Sequence, residues 1–223
     1  MERDITELVL IIDRSGSMAG MESDTIGGIN AVLDRNRKLE GECLVTTVLF
    51  DDHRKTLHDR IPIEKVPKLT EDDYQVRGCT ALLDAVGKTI KHISRVQKYM
   101  PEEYKPKHVI FAITTDGLEN ASRDFTYAEV KRLIKHKQEK GWEFLFLGAN
   151  IDAEEEAERL GIPEDRAATY ECDSDGSVAM YEAVAMASCA MRSAPVEKRV
   201  GSSWRESIEK DKNRRKHHHG DRH

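Results

Sequence analysis

The sequence predicts an α/β protein built on a doubly wound sheet of mostly parallel strands, with helices on both faces. Three observations predict it. Leu8 to Ile12 and Val109 to Ile113 are unbroken apolar runs leading into the acids Asp13 and Asp116, the pattern of strands buried on both faces of a parallel sheet. Segments with apolar residues at helical spacing separate such runs, and strands alternating with helices imply right-handed crossover connections. Arg54 to Ile61 is the exception, alternating and more polar, which suits an antiparallel strand at an edge.

Taken in order, the first strand covers Glu7 to Ile12 and a loop rich in Ser and Gly follows it. From about Glu22 to Leu39, the residues Ile26, Ile29, Val32 and Leu33 recur at helical spacing, and Gly41 is the stop signal. Cys43 to Phe50 is β-branched and apolar, a second strand, and the Asp51-Asp52 turn leads into the edge strand. Residues 62–79, with Pro62, Pro67 and Gly78, read as an irregular connection with a short turn of helix near Asp72. Leu82, Leu83, Val86, Ile90, Ile93 and Val96 share one face of the next helix, which Pro101 and Pro106 close. His108 to Thr115 is a strand, Thr126 to Lys140 a helix stopped by Gly141, and Glu143 to Leu147 a strand. An acidic helix from Asp152 to Leu160, a short strand from Ala167 to Glu171 and a helix from Gly176 to Met191 complete the series.

The chain has 223 residues, 39% of them hydrophobic, with 35 Lys+Arg against 41 Asp+Glu and a net charge of -6. That suffices for one sizeable core and excludes collagen-like and low-complexity classes. The apolar run near the N-terminus is far shorter than the roughly 20 residues that span a bilayer, so the reading is a cytoplasmic protein with no membrane role. Cys43, Cys79, Cys172 and Cys189 form no C-x-x-C pair and read as reduced, mostly buried thiols. Charge divides the chain: residues 1–194 carry 26 basic against 36 acidic side chains, net -10, and residues 195–223 carry 9 against 5, net +4. A domain over 1–194 and a basic C-terminal tail over 195–223 follow. In the tail, Ser203-Trp-Arg-Glu206 has the form of a capping box, which places a short helix near 203–213 with Trp204 and Ile208 on one face against the body and the last ten residues mobile.

Ligands of doubly wound sheets bind at the carboxyl ends of the strands, where the strand order reverses. Asp13-Arg14-Ser15-Gly16-Ser17, Thr80 and Asp116-Gly117 all fall there. Singly, Ser15, Ser17 and Thr80 could be helix caps and Asp116-Gly117 a turn. Together they bring two carboxylates and three hydroxyls into one small volume, where the acids would repel each other unless a cation lay between them. Oxygen ligands without His or Cys suit a hard ion; magnesium fits best, with manganese or calcium as alternatives.

These residues resemble a family. Asp13-x-Ser15-x-Ser17, Thr80 in Gly78-Cys-Thr80-Ala-Leu-Leu-Asp84, and Thr115-Asp116-Gly117 are similar to the complete metal-ion-dependent adhesion site of von Willebrand factor A-type domains, over residues 5–192. The resemblance implies a Rossmann-like sheet of about six mostly parallel strands with one antiparallel edge strand, and a divalent ion on its top face. It implies that Ser15 and Ser17 ligate through their hydroxyls, Thr80 directly or through water, and Asp13 and Asp116 mainly through water. Phe146-Leu-Gly-Ala-Asn150-Ile-Asp152 also resembles small bacterial members, and Cys79 stands where the family frequently has glycine. The implied function is recognition: three neutral hydroxyls leave the ion electrophilic, and a Glu or Asp of a partner protein completes its shell. Partners in the bacterial families resembled include MoxR-type ATPases and components of stress-response or phage-defence systems.

Enzyme readings fit less well. A phosphate loop around Gly87-Lys88-Thr89 fails on spacing, since Leu82 stands where its first glycine is needed. A magnesium-dependent phosphohydrolase is the main alternative, but Asp13 lacks the second Asp two residues on that aspartyl-phosphate chemistry uses. Ser17 lacks the flanking glycines of a nucleophile elbow. His53, His58, His92, His108 and His136 share no spacing and read as surface residues. The acids from Asp152 to Glu158 read as a solvated helix face rather than a calcium loop. Nucleic acid is not an expected partner, because acids dilute the charge of Lys210 to Lys216 and no aromatics interleave with it.

Overall fold

In the computed structural model, which describes residues 3–195 and 201–220, six strands form one sheet in the order β3-β2-β1-β4-β5-β6. They are β1 (Ile5–Asp13), β2 (Glu42–Phe50), β3 (Arg54–Pro62), β4 (His108–Thr115), β5 (Trp142–Ala149) and β6 (Ala167–Tyr170). All neighbouring pairs are parallel except β2 with β3, the antiparallel edge. Every residue of β1 is buried, as its continuous apolar run requires of a strand covered on both faces.

The helices are α1 (Glu22–Arg37), α2 (Leu82–Lys98), α3 (Tyr127–Gln138), α4 (Ala153–Leu160), α5 (Ser174–Ser193) and α6 (Glu206–Gly220). Alternate residues of β1 supply two cores. Leu8, Leu10 and Ile12 join α1, α5 and the tail residues Trp204 and Ile208, while Val9 and Ile11 join the apolar faces of α2, α3 and α4. Thr126 and Glu129 form a reciprocal capping box that starts α3, and Gly161 at φ 81° ends α4 in the left-handed conformation that favours glycine.

Several expectations change in the structure. The cysteines are not mostly buried: Cys43 is, but Cys79 is exposed and Cys172 and Cys189 are half-buried, because they lie in a loop and near helix ends rather than inside strands. No helix forms near Asp72; the connection holds a 3-10 turn at Ile63–Lys65 and a hydrogen-bonded turn in which Asp73 N–H donates to Thr70 O at 3.1 Å. His58 is not a surface residue, because the bulged pairing of β2 and β3 turns it inward, where its Nδ1 lies 3.0 Å from Thr47 Oγ1. The tail helix is longer and starts later than 203–213: Ser202–Arg205 is a 3-10 turn, so Ser203 is not a helix cap, and α6 runs to Gly220. Arg214 and Arg215 lie in the stretch expected to be mobile, yet they pair with Asp175 and Asp173 at 2.7 and 2.6 Å, fixing α6 against the start of α5. Residues 221–223 of that stretch lie outside those described.

α1 and α5 cross so closely that a Cβ on Gly28 would lie 2.0 Å from Tyr181 Cδ2. Tyr181 is buried, and its own Cβ, which rotating the ring does not move, would lie 2.8 Å from the added carbon. Gly28→Ala is therefore expected to destabilise the protein by about 1–3 kcal/mol through overpacking, outweighing the roughly 1 kcal/mol that alanine regains in helix propensity. Urea unfolding of the variant checks this; an unchanged or higher midpoint contradicts it.

Candidate metal centre

The parallel register brings the carboxyl ends of β1, β4 and β5 level, Ile12 beside Thr114 and Thr115 beside Gly148. The residues that follow therefore share one edge of the sheet. Asp13 ends β1 fully buried, and both of its oxygens are engaged: Oδ1 accepts the Ser15 N–H at 2.7 Å, and Oδ2 accepts the Thr115 hydroxyl at 2.7 Å and the Asp116 N–H at 3.4 Å. The first of these bonds curls the chain into an Asx turn that sets Ser15 and Ser17 with their Oγ atoms 3.1 Å apart. Tyr74 fixes the turn from below by donating its hydroxyl to Asp13 O at 2.6 Å.

Thr80 reaches this edge through contacts made by a distant loop. Its N–H donates to Asn120 Oδ1 at 2.9 Å and its carbonyl accepts the N–H groups of Asn120 and Ala121 at 3.0 and 3.2 Å. The Glu119 carboxylate binds the Leu83 N–H at 2.9 Å, in the first turn of α2, so the loop after β4 and the start of α2 hold each other. The Cβ position on Gly117 lies 3.7 Å from Ser17 Oγ and 3.8 Å from Thr80 Oγ1, which shows the three loops converging. The helix-cap readings of these residues do not apply: Ala81 occupies the N-cap of α2, Met21 that of α1, and Ser15 makes no side-chain cap bond.

Asp116 is 2% exposed. Its Oδ1 accepts from the Asn150 amide, but its Oδ2 is buried with no hydrogen-bond partner among the described residues. A buried, unpartnered carboxylate oxygen is costly unless something positive meets it. Burial pushes the pKa of Asp116 up and the nearby Asp13 carboxylate adds to it, against the opposing side-chain interactions of Cys172, Asn150 and Ser17. Burial likewise raises that of Asp13 against the opposing hydrogen bonds of Thr115 and Ser15. The donor set fits a hard divalent cation, with hydroxyls and carboxylates together and an oxygen still free to face an ion. The structure thus brings Asp13, Ser15, Ser17, Thr80 and Asp116 to one place.

Residues outside the expected set also shape it. Asn150, at φ 55° just past β5, holds Asp116, and Glu119 and Asn120 hold Thr80. The signal for Asn150 was its position directly after a strand next to β4; Glu119 and Asn120 carried no local signal. Asp51, Asp52 and His53 also lie close enough together to hold an ion. The buried Asp51 carboxylate, however, already faces Arg14 Nε and Arg77 Nε, each at 2.9 Å.

No family model matches the chain, and no curated relative matches it. Solved structures do. Proximal thread matrix protein 1 from the mussel byssus, with a zinc-occupied MIDAS motif, is 17% identical at a TM-score of 0.56 over 84% of this chain. The chain spans about half the length of that protein, 46%. The vWF domain of the type V pili tip protein Mfa5 from Porphyromonas gingivalis is 10% identical at a TM-score of 0.58, over 86% of this chain and 98% of that one. Manganese-loaded Plasmodium vivax TRAP protein is 15% identical at a TM-score of 0.54, over 79% and 72% of the two chains. The fold is the von Willebrand factor A-type fold, as the motifs implied.

Proposed function

We propose that the chain is a divalent-metal-dependent protein-binding module and not an enzyme. Ser15, Ser17 and Thr80 supply hydroxyl ligands, and Asp13 and Asp116 supply the negative charge that holds the ion. When bound, the ion offers an electrophilic position to a Glu or Asp carboxylate of a partner protein. The observation that carries the reading is the buried Asp116 Oδ2, unpartnered among the described residues, in the loop where Ser17 and Thr80 approach Gly117. Zinc and manganese in the structures of similar fold support a divalent ion; magnesium is the ion proposed here, with manganese or calcium as substitutes. The module is assigned to residues 1–194 with 195–223 appended. No helix among the described residues is long and apolar enough to cross a membrane, and a cytoplasmic location with a MoxR-type ATPase or a stress or defence component as partner is part of the proposal.

The chemistry left to the chain is positional. Asp13 orders the first loop through its own oxygens, Asn150 turns Asp116 so that one oxygen remains free, and Asn120 with Glu119 fixes Thr80. Thr80→Ala and Asp116→Asn are expected to fold normally and to lose manganese affinity by at least about tenfold, read by electron paramagnetic resonance titration. Wild-type affinity in both variants contradicts the site. A phosphate-ester screen on the wild type tests the other half, since turnover requiring both metal and Asp13 would make the protein a hydrolase.

A further inference from the structure

Resting on the proposed metal site, we infer that Asp51 is a positioning residue for it: the Arg14–Asp51–Arg77 clamp sets the spacing between the loop bearing Ser15 and Ser17 and the loop bearing Thr80. Asp51 closes β2 in the turn to β3 and is fully buried. Its Oδ2 lies 2.9 Å from Nε of Arg14, which belongs to the first loop, and 2.9 Å from Nε of Arg77, which belongs to the second. Oδ1 accepts the His53 N–H at 2.6 Å, which holds the carboxylate in place from its own turn. The Asp51 carbonyl accepts the N–H of Ala81, the residue after Thr80, at 2.9 Å.

Backbone bonds join the same two loops directly. Arg77 N–H donates to Arg14 O at 2.9 Å and Gly16 N–H donates to Gly78 O at 3.1 Å. This approach needs Gly78, which has φ 70° and whose Cβ would lie 2.2 Å from Asp52 Oδ1 and 3.3 Å from Asp51 Cβ. One buried carboxylate thus lies between side chains from both ligand-bearing loops: Arg77 Nε donates a hydrogen bond to it, while Arg14 Nε sits beside it as an ion pair without hydrogen-bond geometry. The same pairing means that the buried member of the Asp51, Asp52 and His53 group already has cationic partners.

The two arms of the clamp differ in exposure. Arg14 has 5% of its side-chain surface exposed and Arg77 60%, so Arg77 can be changed with little effect on the fold. The experiment is manganese titration of the full chain by electron paramagnetic resonance, with metal-free melting curves beside it, for wild type, Asp51→Asn, Arg77→Gln and Arg77→Lys. Asp51→Asn is expected to weaken manganese binding about tenfold. Arg77→Gln is the decisive variant, because removing a positive charge near a cation site tightens binding if charge alone matters, whereas loosening the clamp weakens it. We expect weakening of about threefold with an unchanged metal-free melting temperature, partly restored in Arg77→Lys. Equal or tighter binding by Arg77→Gln overturns the inference, even where Asp51→Asn fails to fold. A wild type that takes no manganese instead overturns the metal-site reading, and this inference with it.

Discussion

Millimolar magnesium or manganese is expected to raise the melting temperature of the wild-type chain by roughly 5–11 °C relative to EDTA, and to leave Asp13→Ala unmoved. An ion that binds only the folded protein stabilises it by RT ln(1 + [M]/Kd), about 2.7 kcal/mol at a hundred times Kd. For a chain of this length each kcal/mol is worth roughly 2–4 °C. The site gives the ion something to relieve, because burial disfavours both carboxylates in their charged forms and Asp13 adds to the effect on Asp116. Asp13→Ala removes that charge and the acceptor for the Ser15 N–H and the Thr115 hydroxyl, so its metal-free melting point is expected to drop as well. The informative quantity is therefore the gap between the EDTA and metal curves of one variant. Superimposable wild-type curves at saturating metal would sink the proposed centre.

Trp204→Ala carries the second large effect. Trp204 is 1% exposed and joins the core on the α1 and α5 side of the sheet, with its indole N–H donating to Asp165 O at 3.3 Å. Ile208, one turn along, is 3% exposed in the same core. Truncating a buried Trp costs about 3–5 kcal/mol, which for this chain length lowers the melting temperature by roughly 6–20 °C. The pairs between α6 and the start of α5 act on another scale. Arg214 and Asp175 expose 54% and 65% of their side chains, so Arg214→Ala is expected to cost less than about 1 kcal/mol. A Trp204→Ala variant that melts within a degree of the wild type would show that the Ser202–Arg205 turn adds nothing to the core.

The parts of this protein that a linear reading reached are those written within a few neighbouring residues. Continuous apolar runs gave β1 and β4, the helical spacing from Leu82 to Val96 gave α2, and Arg54 to Ile61 gave the antiparallel edge. Asp13-x-Ser15-x-Ser17 was legible for the same reason: the hydrogen bond that builds its turn joins residues 13 and 15. His58 was misread because its inward turn comes from a register shift against β2, which the sequence of β3 alone does not contain. Asn120 carries no motif of its own, and Asn150 stands in a segment that resembles family members without showing a role there; they matter because β4 lies beside β5 and because the loop after β4 folds back on α2. Local patterning therefore fixed the class of the fold and the residue types at the sheet edge. The packing of strands and loops far apart in the chain decided that Asp116 keeps one oxygen free while Asp51 does not, because burial and pairing depend on which distant groups the folded chain brings within bonding distance.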